Sequence, residues 1–412
     1  MKISLAVLAV SIAACGGGGG DVSGGTEPTE PVTTESVTIP AGSSSPPSSS
    51  PPGMSLEREV LAKLGRTGNF LVGAGHDSKD ANDANATHTY DLPTKLDAHY
   101  MYLSNLDWPE WKVGASTGVP GQYVTKHAMA AKSRGMLPMF TLYQAAATGE
   151  NNLGAFNDTA FMTRYWRGVR IMFERLAELG SPAIVHVEPD LWGYTQMVSD
   201  DPAAVPMKVG ALVPECTDLP ENVAGMARCV IRLSRTISPK VVIGLSASRF
   251  GAFTSDGASD AARIGAYLHA IGAQEADIMV VETLDRDAGC FEVGVDPNCK
   301  RKGSFYWDES NQSHPNFHDH LAWAKTIRAT VGRPLLWWQM PLGVPADAPG
   351  SADRYRDNRV RYLFSHVGEF AAAGGIGAVF GKGKANQTTM ATDGGQFANA
   401  AAGYFAAPTP VR

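Results

Sequence analysis

Ala183-Ile184-Val185-His186-Val187-Glu188-Pro189-Asp190-Leu191-Trp192 is the stretch from which the fold is read. A short, nearly continuous apolar run, Ala183 to Glu188, ends in acidic and aromatic residues. It follows an amphipathic stretch, Thr159 to Leu179, closed by Gly180. Helix, glycine cap and buried strand is the pattern this spells. Working outward, similar runs recur roughly every 30 to 50 residues. They are Asn69 to Gly75, His99 to Asn105, Leu137 to Gln144, Val241 to Ser246, Asp277 to Glu282, Leu335 to Gln339 and Gly377 to Gly381. Helical stretches are expected at Gln122 to Arg134, Asn222 to Thr236, Ala258 to Ile271, Asn316 to Thr330 and Asp353 to Ala372, and Gly135, Gly332 and Gly374 sit where further caps are wanted. Apolar strands alternating with helices imply a parallel sheet covered on its outer face. Eight of them predict an α/β protein with a (β/α)8 barrel as a single large domain. The rival, an open doubly wound sheet, lacks a phosphate loop: Gly73-Ala74-Gly75-His76 and Gly381-Lys382-Gly383-Lys384 are both incomplete as nucleotide motifs.

In a parallel barrel the chemistry sits at the carboxyl ends of the strands. Those ends read Gly75-His76-Asp77, Ser104-Asn105-Leu106-Asp107-Trp108, Tyr143-Gln144, Glu188-Pro189-Asp190-Leu191-Trp192, Glu282-Thr283-Leu284-Asp285 and Trp337-Trp338-Gln339. Alternation groups Ile184, His186 and Glu188 on one face, with Asp190 just beyond, and Ile278, Val280 and Glu282 on another, with Asp285 beyond it. Two carboxylates facing across a mouth suit glycoside hydrolysis, one as proton donor and one as base or nucleophile. A strand-end Glu is about as often a structural partner, and Glu188 could hold Arg249 or Arg286. Aromatic side chains sharpen the sugar reading, because pyranose rings present flat C–H faces. Trp108, Trp111, Trp192, Trp307 and Trp338, with Tyr143, Tyr194 and Tyr306, fall at or just after strand ends. Trp166 and Trp323 lie inside predicted helices and read as core. The expected substrate contacts are His76, Trp108, Tyr143, Gln144, Trp192, Trp338 and Gln339.

The segment Val185 to Leu191 resembles the Glu-Pro-Asp strand-end signature of family 6 glycoside hydrolases, secreted cellulases and cellobiohydrolases. The resemblance implies a general acid at Asp190 with Glu188 as its supporting neighbour. Glu282 or Asp285 is then the candidate base, with Asp77 and Asp393 as further possibilities. Gln339 stands where retaining barrels of the better known type carry a nucleophilic Glu, which favours an inverting mechanism or no hydrolysis at all. The alternative function is therefore a surface glycan-binding protein without turnover. A metal-assisted hydrolase built on His76, Asp77, His186 and Glu188 is a third reading, although no metal and no cofactor is expected.

Composition sets the surroundings. The 412 residues are 44% hydrophobic and 18% charged, with a net charge of −6, so most of the chain folds and a nucleic-acid partner is not expected. Lys2 followed by the apolar run Ile3 to Ala14 reads as an export signal over residues 1–14. Its ending, Ile12-Ala13-Ala14-Cys15, resembles the lipobox of bacterial lipoproteins, which implies lipidation of Cys15 and a membrane contact through the lipid alone. Residues 15–54, rich in Gly, Ser and Pro, read as a stalk, leaving residues 55–412 as an exported, monomeric catalytic barrel. The remaining cysteines fall into two close pairs, predicting the disulfides Cys216 with Cys229 and Cys290 with Cys299.

Overall fold

The computed structural model describes residues 54–412 except 116, 295, 297, 298 and 300–304. The export signal, Cys15 and nearly all of the stalk lie outside the described residues. Eight strands close into a parallel barrel in chain order: β1 (Leu71–Gly75), β2 (Ala98–Ser104), β3 (Leu137–Tyr143), β4 (Ala183–Val187), β5 (Val241–Ala247), β6 (Ile278–Val281), β7 (Leu335–Met340) and β8 (Gly375–Phe380). β8 returns to β1 through the register Leu71↔Gly377 to Ala74↔Phe380. Each of the eight expected runs overlaps one of these strands, because an apolar run buried on both faces has few other places to go.

Helices α1 (Leu56–Lys63), α2 (Gln122–Ser133), α3 (Thr159–Leu179), α4 (Leu191–Val198), α5 (Val223–Ile237) and α6 (Ala261–Ala270) are joined by α7 (Ala288–Val293), α8 (Phe317–Val331), α9 (Arg359–Ser365), α10 (Val367–Ala372) and α11 (Gln396–Ala406). α3 shows why the pattern was readable. Phe161, Met162, Tyr165, Trp166, Val169, Met172, Phe173 and Leu176 repeat every three or four positions and are all buried. The Asp158 carboxylate accepts the Phe161 N–H at 2.7 Å at one end, and Gly180 at φ 67° closes the other. The expected helix Asp353 to Ala372 is instead two shorter ones. Its first residues lie in a loop where Arg356–Asp357 pair with Val344–Pro345, and His366 interrupts the remainder.

Both predicted disulfides are formed. Cys216–Cys229 ties the loop before α5 to that helix across 13 residues of separation. Replacing both cysteines by Ser is expected to lower the unfolding free energy by about 3 kcal/mol. Guanidinium denaturation measures this, and an unchanged midpoint would contradict it.

Candidate active site

Four strand ends carry a non-glycine residue in the left-handed region: His76 (φ 53°) after β1, Asn105 (φ 65°) after β2, Glu188 (φ 48°) after β4 and Gln339 (φ 55°) within β7. Such a backbone costs about 1–3 kcal/mol per residue and tends to gather at functional sites. It also breaks the alternation of the strand, which decides where Glu188 goes. His186 points into the barrel, with its ring 4.6 Å from that of Trp338 and Nε2 3.1 Å from Ser246 Oγ. The turn at Glu188 then sends its side chain away from the mouth. The carboxylate is fully buried and accepts the backbone N–H of Gln144 at 2.9 Å and of Ala145 at 3.2 Å. Burial pushes its pKa up to about 8 against the pull of those N–H groups. Glu188 therefore anchors the loop after β3, close enough to Asp190 for their charges to interact.

Asp190 does reach the mouth. It is the last residue before α4, and its Oδ2 accepts the Tyr143 hydroxyl at 2.9 Å. Burial first, then the nearby Glu150, pushes its pKa up to about 6, while Tyr143 and Lys384 pull the other way. Glu282 follows β6 directly, and its Oε1 accepts the Gln339 side-chain N–H at 3.3 Å. The other end of that amide accepts the Tyr102 hydroxyl. Burial, then Asp285, then Asp190 hold the Glu282 carboxyl well above the ordinary range, against the opposing charges of Lys384 and Arg286. Asp285 itself is paired with Arg286, and lies 3.7 Å from Lys384. Asp190, Glu282 and Asp285 thus share one electrostatic environment. Their surroundings differ: Glu282 is bonded by the Gln339 amide, Asp190 by the Tyr143 hydroxyl, and Asp285 is flanked by two cations.

The expected tryptophan platform is not there. Trp108 is 0% exposed and donates its indole N–H to Gln144 Oε1 at 3.1 Å, because a short helical turn (Trp108–Glu110) folds it under the rim. Gln144, equally buried, passes the chain of bonds on to the Tyr165 carbonyl. Trp192 lies on the inner face of α4 and donates to the Val187 carbonyl at 3.0 Å. Trp338 sits inside the barrel against Tyr100, Tyr102 and His186. None of these four can offer a face to a sugar, and their role is to pack the floor and wall beneath it. His76, Tyr143 and Gln339 do belong to the mouth. The half-buried rings of Tyr102, Tyr194 and Phe250 join them, the last two 4.9 Å apart.

The remaining expectations part company. Asp77 is buried, accepting the Thr89 N–H at 2.6 Å and lying 3.1 Å from His99 Nε2, so its carboxylate is engaged in tying the loop after β1 to β2. Asp393 accepts the Gly395 and Phe397 N–H groups and starts α11. His76, Asp77, His186 and Glu188 do not converge, and no group of three potential metal ligands occurs among the described residues.

Besides the rings of Tyr102 and Phe250, two charged contributors escaped the sequence reading, Glu150 and Lys384. The signal for Lys384 was Gly381-Lys382-Gly383-Lys384 directly after β8. A Cβ on Gly383 would lie 2.2 Å from the Asp285 carbonyl and 2.3 Å from Gln339 Nε2, so only glycine lets this segment press against the mouth. Glu150 lies in the loop after β3 and carries no local pattern that marks it.

No family's sequence profile and no curated protein sequence matches the chain. Among solved structures, the chain is similar to the catalytic domain of a GH26 endo-β-1,4-mannanase of Bacillus sp. JAMB-750, at 10% identity over 86% of this chain and 90% of that one, with a TM-score of 0.48. It is also similar to the endo-β-1,4-mannanase of Thermotoga petrophila, at 11% identity over 83% and 77% with a TM-score of 0.46. A GH5-4 broad specificity endoglucanase of Clostridium acetobutylicum aligns at 11% identity over 84% and 99%, with a TM-score of 0.44. The likeness is one of backbone arrangement.

Proposed function

We propose that this chain is a glycoside hydrolase whose acid/base pair is Glu282 and Asp190. The observation that carries the reading is the placement of two half-buried carboxyls at one barrel mouth in different surroundings, Asp190 accepting the Tyr143 hydroxyl and Glu282 the Gln339 amide, since environments that push two carboxyls apart assign donor and base. Glu282 is the donor, the reverse of the order that the Glu-Pro-Asp resemblance implies. Its proton passes to the glycosidic oxygen as the C1–O bond breaks and the bonding pair leaves with that oxygen. Asp190, ionised and steadied by the Tyr143 hydroxyl, takes a proton from the water that attacks C1, an inverting displacement. Gln339 fixes the donor by bonding Glu282 on one side and Tyr102 on the other. Tyr194 and Phe250 supply the apolar face that the buried tryptophans do not. The two disulfides suit an oxidising compartment, and the reading includes export and a lipid anchor at Cys15.

The pH dependence follows from the assignment. Asp190 must be ionised, so kcat/KM is expected to rise about tenfold per unit below a midpoint near pH 6 and then level off. The test is reducing-end release from β- and α-glucans, xylans, mannans and peptidoglycan, followed across pH on whichever is cut. Release that is insensitive to pH between about 4 and 7, the window over which this carboxyl ionises, would remove Asp190 from the base role.

A further inference from the structure

The strap after β8 brings two lysines over the mouth, and they are treated differently. Lys384 lies 3.7 Å from Asp285. Lys382 is half-buried and has no ion-pair or hydrogen-bond partner among the described residues. Its backbone is pinned on both sides. A Cβ on Gly381 would fall 2.2 Å from the Tyr100 hydroxyl and 2.6 Å from the Gly75 carbonyl, and Gly383 is wedged against Asp285 and Gln339. A cation at the mouth without a counter-charge among the described residues is free to pair with an arriving anion.

Beside it stands His76. Its backbone is left-handed, and its ring packs edge-on to Tyr102 at 4.6 Å. Neither ring nitrogen has a hydrogen-bond partner among the described residues. Burial first and Lys382 second push its pKa down to about 4, so at neutral pH it is an uncharged ring with an N–H to donate. Asp77, the nearest carboxylate in sequence, is already taken by Thr89 and His99. The mouth holds the carboxylates Asp190, Glu150 and Asp285 beside Lys382, Lys384 and Arg286, and Asp285 already engages the latter two cations, which leaves Lys382 as the cation without a paired carboxylate among the described residues.

We infer that Lys382 and His76 form a carboxylate subsite at the β1–β8 side of the mouth, so that the substrate is an acidic glycan containing uronic acid units. Lys382 supplies the ion pair and His76 a hydrogen bond to the sugar carboxylate, a charge-assisted arrangement stronger than either contact with a neutral hydroxymethyl group. The inference rests on the glycosidase reading and names its substrate class.

The experiment uses the full chain carrying Asp190→Asn, so that binding is read without turnover. Calorimetry measures its affinity for oligomers of glucuronate, galacturonate and mannuronate and for the same oligomers with their carboxyls reduced to hydroxymethyl groups. One acidic series is expected to bind at least about tenfold more tightly than its reduced form. Adding Lys382→Met should erase that preference while leaving the affinity for the reduced form unchanged, and Lys382→Arg should restore most of it. Equal binding of acidic and reduced forms overturns the inference, as does a preference that survives Lys382→Met. Reducing-end release is measured in parallel on the full chain with Asp190 intact, and release from neutral glycans with no acidic preference overturns the subsite and leaves the acid/base reading standing. Absence of both binding and hydrolysis in every series overturns the two together.

Discussion

Asp190→Asn is expected to reduce polysaccharide hydrolysis by about 10³-fold or more while leaving glycan affinity within about threefold. The substitution keeps the shape of the side chain and an oxygen that can accept the Tyr143 hydroxyl. It removes only the ability to take a proton from water. The same variant has a second, opposite signature. In the folded protein the Asp190 carboxyl titrates near 6, above its ordinary value of 3.8. A raised carboxyl favours the folded state only while protonated, so its stabilisation is complete below the unfolded value and is lost as pH rises through the folded one. At pH 8 the wild-type chain therefore carries an ionised, poorly solvated carboxylate that the variant lacks. Asp190→Asn should be more stable by on the order of 2 kcal/mol at pH 8, with the difference vanishing near pH 3. Chemical denaturation at the two pH values measures it. A variant that is inactive and also less stable at pH 8 would point to a structural role for Asp190.

Glu282→Gln separates donor from base. A proton donor matters in proportion to how badly the leaving oxygen needs a proton. Polysaccharide hydrolysis should fall by about 10²- to 10⁴-fold. A dinitrophenyl glycoside, whose leaving phenolate is stable without a proton, should lose less than about tenfold. Asp190→Asn should be damaged on both substrates alike, because water must be activated in either case. If Glu282→Gln loses both activities equally and Asp190→Asn spares the dinitrophenyl substrate, the two roles are exchanged and the order implied by the family resemblance is the correct one. Gln introduced at residue 282 can still be held by Gln339, so the loss would report the proton and not the position.

The barrel was legible because its signals are long-range and redundant. Eight apolar runs and the heptad-like burial of α3 all demanded the same parallel sheet with an outer helical layer. Legibility fell away at single residues where the backbone leaves its period. Alternation carried Glu188 to the interior face, and a left-handed φ of 48° carried it out again. Trp108 and Trp192 lie where sugar-stacking rings would be wanted, yet each has a buried indole N–H that needs an acceptor, and each finds it beneath the rim. Asp190, Glu282 and Asp285 were found because position at a strand end is enough to bring a short acidic side chain to the mouth. Glu150 and Lys384 reach the same field from loops whose path no local pattern specifies. The Gly-Lys-Gly-Lys sequence reads as an incomplete phosphate loop. Its glycines serve close backbone approach instead.

The account's central claim is that one barrel mouth holds a working pair of carboxyls, Glu282 and Asp190, that cleaves a glycosidic bond. Reducing-end release by the full chain, measured side by side with Asp190→Asn and Glu282→Gln on neutral and uronate-containing polysaccharides, tests it most directly. The account predicts release by the wild-type chain from at least one glycan and its loss, in folded protein, in both variants. Release that persists undiminished in either variant, or a wild-type chain that binds these glycans and cuts none of them, would contradict it.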